Sequence, residues 1–366
     1  MPEARGRVTP FEVAVPEADL EQMRARIRAT RWPDAIEAAP WTYGFDRGYL
    51  QRLAQSWSDG FGWREQEALI NATPQYLVET AEVRVHASVA GDVSARPLLL
   101  LSGWPSTFFE HHRVVPLLTA GDAFRTVCCS LPGFGFSERP RRPGMSARAM
   151  AGAIVEAMTG LGHRRFGVHA TDFGARVAAA MAHEYPDQVA GLHLCAQPSG
   201  FEEQDTLWRR ARATPDHMAY YLLQSTRPQT LTYDMNDSPM GMAAWILERW
   251  RDWSDCGGEI ESRFTRGELL TTVSIYWLSQ TFGSAARLYF ENRLDPPRLA
   301  AGDRVTVPTG ISLFPHPPRP WLADSPPSPF NIVYRTEMPS GGHFPALEEP
   351  ELLASEIRAF FESIDY

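Results

Sequence analysis

The sequence predicts an α/β fold in which a mostly parallel sheet is flanked by helices, preceded by a helical segment and interrupted by a helical insertion. Three observations predict it. Short apolar runs of strand length begin near residue 83 and, further on, alternate with helical stretches. The alternation stops near Gln197 and strand patterns return only at residue 307. The residues between are helical in pattern and dense in aromatics. Apolar strands separated by helices mean a parallel sheet covered on both faces.

Taken in order, residues 20–30 and 48–58 carry apolar positions at helical spacing between proline, tryptophan and glycine turns, so residues 1–80 are expected to form an N-terminal helical segment. Apolar runs at 83–87, 97–101, 126–130, 166–169 and 190–196 read as strands, with helices over 147–161 and 175–185. Residues 81–197 thus make the first part of the core. Residues 198–300, which include Tyr220, Trp245, Trp253, Tyr276 and Tyr289, are expected to form a cap that splits the sheet. Residues 301–366 complete the core, with strands at 307–314 and 331–336 and a closing helix over 350–363 that Pro350 can start.

Composition narrows the function classes. A net charge of −9, with no basic block beyond the neighbourhood of Arg139 to Arg142, provides no electrostatic footprint for nucleic acid or an anionic membrane. The expected partner is a small molecule, and a homodimer is left open. The first 20 residues carry no signal-peptide core and no membrane span, so a cytoplasmic location is expected. Cys128, Cys129, Cys195 and Cys256 show no metal-ligand spacing and read as buried reduced thiols. No cofactor and no metal are expected.

The chemistry concentrates around Asp172. The run Phe166-Gly167-Val168-His169-Ala170-Thr171-Asp172-Phe173-Gly174-Ala175 reads as a strand, a tight turn and a helix. Ala170 and Gly174 flank Asp172 at minus and plus two, where a strained nucleophile elbow has room only for small side chains. Alone, that pattern fits the N-cap of a helix better than a nucleophile. Other segments reverse the weighting. Ser102-Gly103-Trp104-Pro105 follows an apolar strand where an oxyanion-hole loop belongs. Ser130-Leu131-Pro132-Gly133-Phe134-Gly135-Phe136-Ser137-Glu138 follows the next strand, and Gly341-Gly342-His343-Phe344 follows the last.

Together these segments resemble the epoxide hydrolase family of the α/β-hydrolase superfamily, in particular its microsomal-type branch. The resemblance extends to Arg31-Trp32-Pro33-Asp34, Trp41-Thr42-Tyr43-Gly44 and Asn236-Asp237-Ser238-Pro239. It implies Asp172 as nucleophile, His343 as the base that activates water, and an oxyanion hole from the backbone N–H groups of Trp104 and Phe173. It also implies Tyr220 and Tyr289 as proton donors to the departing epoxide oxygen, although Tyr221 adjoins Tyr220 and leaves that assignment open by one residue. His111 and His112 are expected to lie outside the chemistry, and His169 to be a packed, hydrogen-bonded histidine.

Departures from the family pattern lie close to the chemistry. Ser102 stands where the family has His, and Ala170, Thr171 and Phe173 replace two glycines and a tryptophan of the elbow. The relay acid that orients the histidine is a Glu shortly after Phe314-Pro315, but His316, Pro317 and Pro318 fill that place. Asp324, in the same loop, is a candidate substitute. Replacing such an acid in a serine triad costs about 10⁴-fold in turnover. The leading expectation is therefore a divergent epoxide hydrolase for a bulky apolar, aromatic metabolite, with a role in secondary metabolism. Two alternatives stand beside it: a cofactor-independent oxygenase in which Asp172 pairs with His343 as the base, and a ligand-binding homologue without catalysis.

Overall fold

Apolar strands buried on both faces set the frame of the protein. In the computed structural model, which describes residues 6–195, 215–300, 302–317, 328–364 and 366, nine strands form one sheet. In chain order these are β1 (Val8–Phe11), β2 (Gln75–Glu79), β3 (Arg84–Ala90), β4 (Arg96–Leu101), β5 (Phe124–Cys129), β6 (Phe166–Ala170), β7 (Val189–Leu194), β8 (Val305–Leu313) and β9 (Phe330–Glu337). Their spatial order is β1-β2-β3-β5-β4-β6-β7-β8-β9. The first three strands join antiparallel, and from β5 through β9 every pairing is parallel. Every residue of β6 and β7 is buried, as central parallel strands require. This is the α/β-hydrolase architecture that the alternation predicts.

The first eighty residues hold more than two helices. Helices α1 (Glu17–Arg28) and α2 (Arg47–Gln55) lie where the periodicity put them, but a third, α3 (Trp63–Asn71), follows, and β1 and β2 form the antiparallel edge. The sequence hides these strands because each is short: Val8-Thr9-Pro10-Phe11 pairs as an outer edge, where a proline lacking N–H is tolerated. Buried Trp57 and Trp63 anchor this segment, the Trp57 indole donating to Ser274 Oγ at 2.9 Å across 217 residues of sequence.

Between β7 and β8 run the helices Pro215–Thr226, Pro228–Asp237, Pro239–Trp253, Arg266–Ser279 and Phe282–Leu294. Prolines begin three of them, and a Thr265 to Glu268 capping box begins the fourth. The closing helix Pro350–Ser363 lies where Pro350 predicts it and sends Phe360 and Phe361 under the sheet. No helix among the described residues is long and apolar enough to cross a membrane.

Candidate active site

Strand β6 ends at Ala170, and the chain turns at Asp172, whose φ of +48° lies in the left-handed region, before helix α4 (Asp172–Glu184). A non-glycine residue there carries strain of roughly 1–3 kcal/mol. Thr171, not Asp172, occupies the N-cap position, and no side chain caps the helix. Two glycines permit this turn. A Cβ on Gly174 would lie 2.8 Å from the Leu101 and Ser102 carbonyl oxygens, so the helix can press against the end of β4 only without a side chain. A Cβ on Gly103 would lie 2.1 Å from Asp172 Oδ1 and 2.5 Å from Phe173 N.

The loop carrying Gly103 therefore passes directly over the elbow. The Trp104 N–H donates to Asp172 Oδ1 at 3.0 Å, and the Phe173 amide borders the same space. Ser102, in place of histidine, closes this loop by donating its hydroxyl to the Thr107 carbonyl at 3.1 Å. On the other side, His343 Nε2 stands 3.2 Å from Asp172 Oδ2, an ion-pair distance without hydrogen-bond alignment. Both oxygens of one carboxylate are thus addressed, one by backbone donors and one by an imidazole.

Aromatic rings enclose this carboxylate. Tyr220 stacks on Trp104 at 5.2 Å and 13°, and Tyr289 stands edge-on to Phe173 at 4.5 Å and to Trp104 at 5.9 Å. Tyr220 and Tyr289 meet edge to face at 6.0 Å. Burial, and then the negative charge of Asp172 among neighbouring groups, pushes both phenols upward, so each keeps its proton at neutral pH. Among the described residues neither hydroxyl makes a hydrogen bond. Tyr276, also raised by burial, is different: its hydroxyl donates to the Ser106 carbonyl at 2.7 Å and so braces the loop. Tyr221 meets Tyr289 at 5.7 Å but does not stack on Trp104, which favours Tyr220 as the tyrosine over the elbow.

The loop carrying His343 is fastened from the insert. His343 donates its backbone N–H to the Trp253 carbonyl at 2.9 Å, and its ring packs 4.8 Å from that of Trp253. Glu348 accepts the Phe344 N–H at 2.9 Å with one oxygen and the Asp255 N–H at 2.7 Å with the other. Asp255 in turn accepts the Gly341 N–H at 3.1 Å and pairs with Arg263. Sequence reasoning assigned no role to Glu348, Asp255 or Trp253. The string Glu348-Glu349-Pro350 was visible, but Asp255, one of its two N–H partners, lies 93 residues away in the insert.

No carboxylate among the described residues meets His343 Nδ1. His316 and Pro317 fill the position after β8, with the His316 N–H donating to the Gly341 carbonyl at 3.2 Å. Asp324 lies outside the described residues. Buried Glu110, on the short helix after the Trp104 loop, is pushed up to about 8 by burial, with the charges of Asp172 and Glu348 adding to the rise. His111 and His112 lie on that same helix, and His112 pairs with Glu268 at 3.0 Å. His169 is a core histidine, its Nδ1 3.0 Å from His193 Nδ1, while His193 Nε2 meets Ser312 Oγ at 3.0 Å. With Cys195 these two bring three potential ligand atoms within 4.8 Å of one another, the one such group among the described residues. The buried His169 Nε2 has no hydrogen-bond partner among the described residues. Burial raises the Cys128 and Cys129 thiols, the latter to about 12.

Comparison with known proteins places this geometry. The family described as epoxide hydrolase N terminus matches residues 8–111, and the alpha/beta hydrolase fold family matches residues 96–254. A protein of Stigmatella aurantiaca named "Putative epoxide hydrolase" is 36% identical over 381 residues, spanning 98% of this chain and 85% of the relative. Epoxide hydrolase 1 of Sus scrofa is 31% identical over 408 residues, spanning 96% of this chain and 88% of the relative. The chain belongs to the epoxide hydrolase family. Among solved structures, juvenile hormone epoxide hydrolase from the silkworm Bombyx mori superposes with a TM-score of 0.84 at 26% identity, covering 98% of this chain and 94% of that one. Aspergillus niger epoxide hydrolase superposes with a TM-score of 0.83 at 26% identity, covering 99% and 98%. An epoxide hydrolase-like enzyme acting on small molecules is what these relatives support.

Proposed function

We propose that this family member opens an epoxide through an ester of Asp172. The observation that carries the reading is the division of labour on one carboxylate: Oδ1 takes the Trp104 N–H while Oδ2 faces His343. Oδ2 attacks an epoxide carbon, that C–O bond breaks, and Tyr220 or Tyr289 gives its proton to the departing oxygen. Water, deprotonated by His343, then adds to Cγ of the ester. The developing charge falls on Oδ1, beside the Trp104 and Phe173 amides. The Cγ–Oδ2 bond breaks, the diol leaves with Oδ2 and the proton held by the His343 imidazolium, and the proton of the added hydroxyl returns to the tyrosinate, which restores the carboxylate with a water oxygen.

The rings of Trp104, Phe173, Tyr220 and Trp253 favour a bulky apolar or aromatic substrate under a cap formed by residues 198–300. Absence of a relay carboxylate at Pro317 makes the enzyme divergent, with ester breakdown as its slow step. This suits a slow, selective role in secondary metabolism of the cytoplasm better than bulk detoxification. A second reading, a cofactor-independent oxygenase, draws on the 3.2 Å approach of His343 to Asp172, which an Asp-oriented base would also require. One experiment separates them. A single turnover of an aryl epoxide with excess enzyme in heavy-oxygen water is expected to yield unlabelled diol and to leave the label in the Asp172 peptide. Product label from dioxygen, with no mass gain on that peptide, would refute the hydrolase mechanism.

A further inference from the structure

Arg176 stands one helical turn after Asp172, on the same face of α4. It is half-buried, and its guanidinium carbon lies 5.6 Å from the centre of the Phe173 ring, whose edge meets Tyr289. Its charge also acts on Tyr220, favouring the phenolate. A second cation acts on Tyr220, but it is already matched: Arg249 pairs with Glu248 at 2.9 Å and Asp252 at 3.1 Å. Among the described residues Arg176 makes no ion pair and no hydrogen bond.

A guanidinium has five N–H donors in a planar fork and no acceptor. Stacking over a ring uses its face and recovers about 0.5–1 kcal/mol at an exposed site, leaving the donors along its edge unmatched. Phe173 thus holds the cation in place without satisfying it. The fork matches the two oxygens of a carboxylate. The cation also counters the repulsion that an anionic substrate would meet from Asp172.

We propose that Arg176 is a specificity residue that receives a carboxylate borne by the substrate, so that this enzyme takes epoxides of aromatic acids in preference to neutral aryl epoxides. The inference rests on the epoxide-opening reading of the site. It is tested with 4-(oxiran-2-yl)benzoate and 3-phenylglycidate against 4-methylstyrene oxide and methyl 3-phenylglycidate, using wild type, Arg176→Met and Arg176→Lys. The wild type is expected to favour each acid by about tenfold in kcat/KM, the scale of one charge-assisted hydrogen bond. Arg176→Met is expected to abolish the preference mainly through KM, and Arg176→Lys to keep part of it. An acid-to-neutral ratio equal in wild type and Arg176→Met would overturn the proposal.

Calorimetric binding of the diol products, 4-(1,2-dihydroxyethyl)benzoate and its amide, needs no catalysis and separates the two readings. Tighter binding of the acid that depends on Arg176, with no epoxide opened, keeps the anion site and sinks the hydrolase. Epoxides opened without any Arg176-dependent charge preference do the reverse.

Discussion

Replacing Glu348 should slow the second half of the reaction more than the first. Its carboxylate accepts two backbone N–H groups, Phe344 at 2.9 Å and Asp255 at 2.7 Å, and so ties the residue after His343 to the insert. Glu348→Gln keeps one acceptor and turns an NH₂ toward the other N–H. The loss of that bond with a buried donor left unmatched corresponds to about 1–3 kcal/mol of stability. Glu348→Ala removes both bonds and leaves a cavity, so a loss of about 3 kcal/mol or more is expected. The chemical consequence falls on His343, since no carboxylate among the described residues orients its Nδ1 and the backbone clamp does that positioning. A displacement on the order of 1 Å can reduce a rate about 10²-fold. Rapid-quench single turnovers should therefore show nearly normal alkylation of Asp172 and ester decay slowed by about one to two orders of magnitude. Burial raises the Glu348 carboxyl to about 7, so protonation below that pH removes one acceptor and the decay rate of the wild type should fall there. Glu348→Gln should lose the part of that acid limb that Glu348 contributes and keep the part that comes from protonation of the base. Unchanged ester decay and a stability within about 0.5 kcal/mol of wild type would refute the positioning role.

Other perturbations test neighbouring parts. Gly103→Ala places a methyl 2.1 Å from Asp172 Oδ1 and should lower kcat by about 10²-fold or more while circular dichroism stays native; an active variant would mean that the Trp104 loop does not cover the elbow in solution. Pro317→Glu should accelerate ester decay by giving His343 a relay carboxylate, and an unchanged decay in a folded variant would mean that an acid such as Asp324 already serves. Glu110 titrates at about 8 rather than its ordinary value near 4.5, so the native state holds its proton where the unfolded chain has released it. Its contribution to stability is then fully present below about 4.5 and declines as pH rises to about 8. Glu110→Gln should match wild type near pH 4 and exceed it in Tm by a margin that grows from about pH 5 to pH 8; a margin that does not change with pH over that range would mean that Glu110 is charged in the fold.

The layered α/β architecture and the elbow turn were legible in the sequence, and so was the histidine that the fold brings to 3.2 Å from Asp172. Apolar runs long enough for buried strands, small residues around Asp172, and a histidine in a glycine-rich loop after the last strand are local signals with local causes. The tyrosines were legible only through resemblance, because nothing in their own surroundings separates them from aromatics that merely pack. The edge strands β1 and β2 were not legible, since four or five residues at a sheet margin bury too little to leave a pattern. Tertiary structure alone decided which groups meet. Tyr220 stacks on Trp104, Trp253 lies against His343, and Glu348 reaches Asp255, each across more than 80 residues. It also gave Arg176 its setting, because whether a cation is matched depends on every acceptor the fold brings near it. Pairings of that kind come from chain crossings between the sheet and its insert, and no local periodicity encodes them.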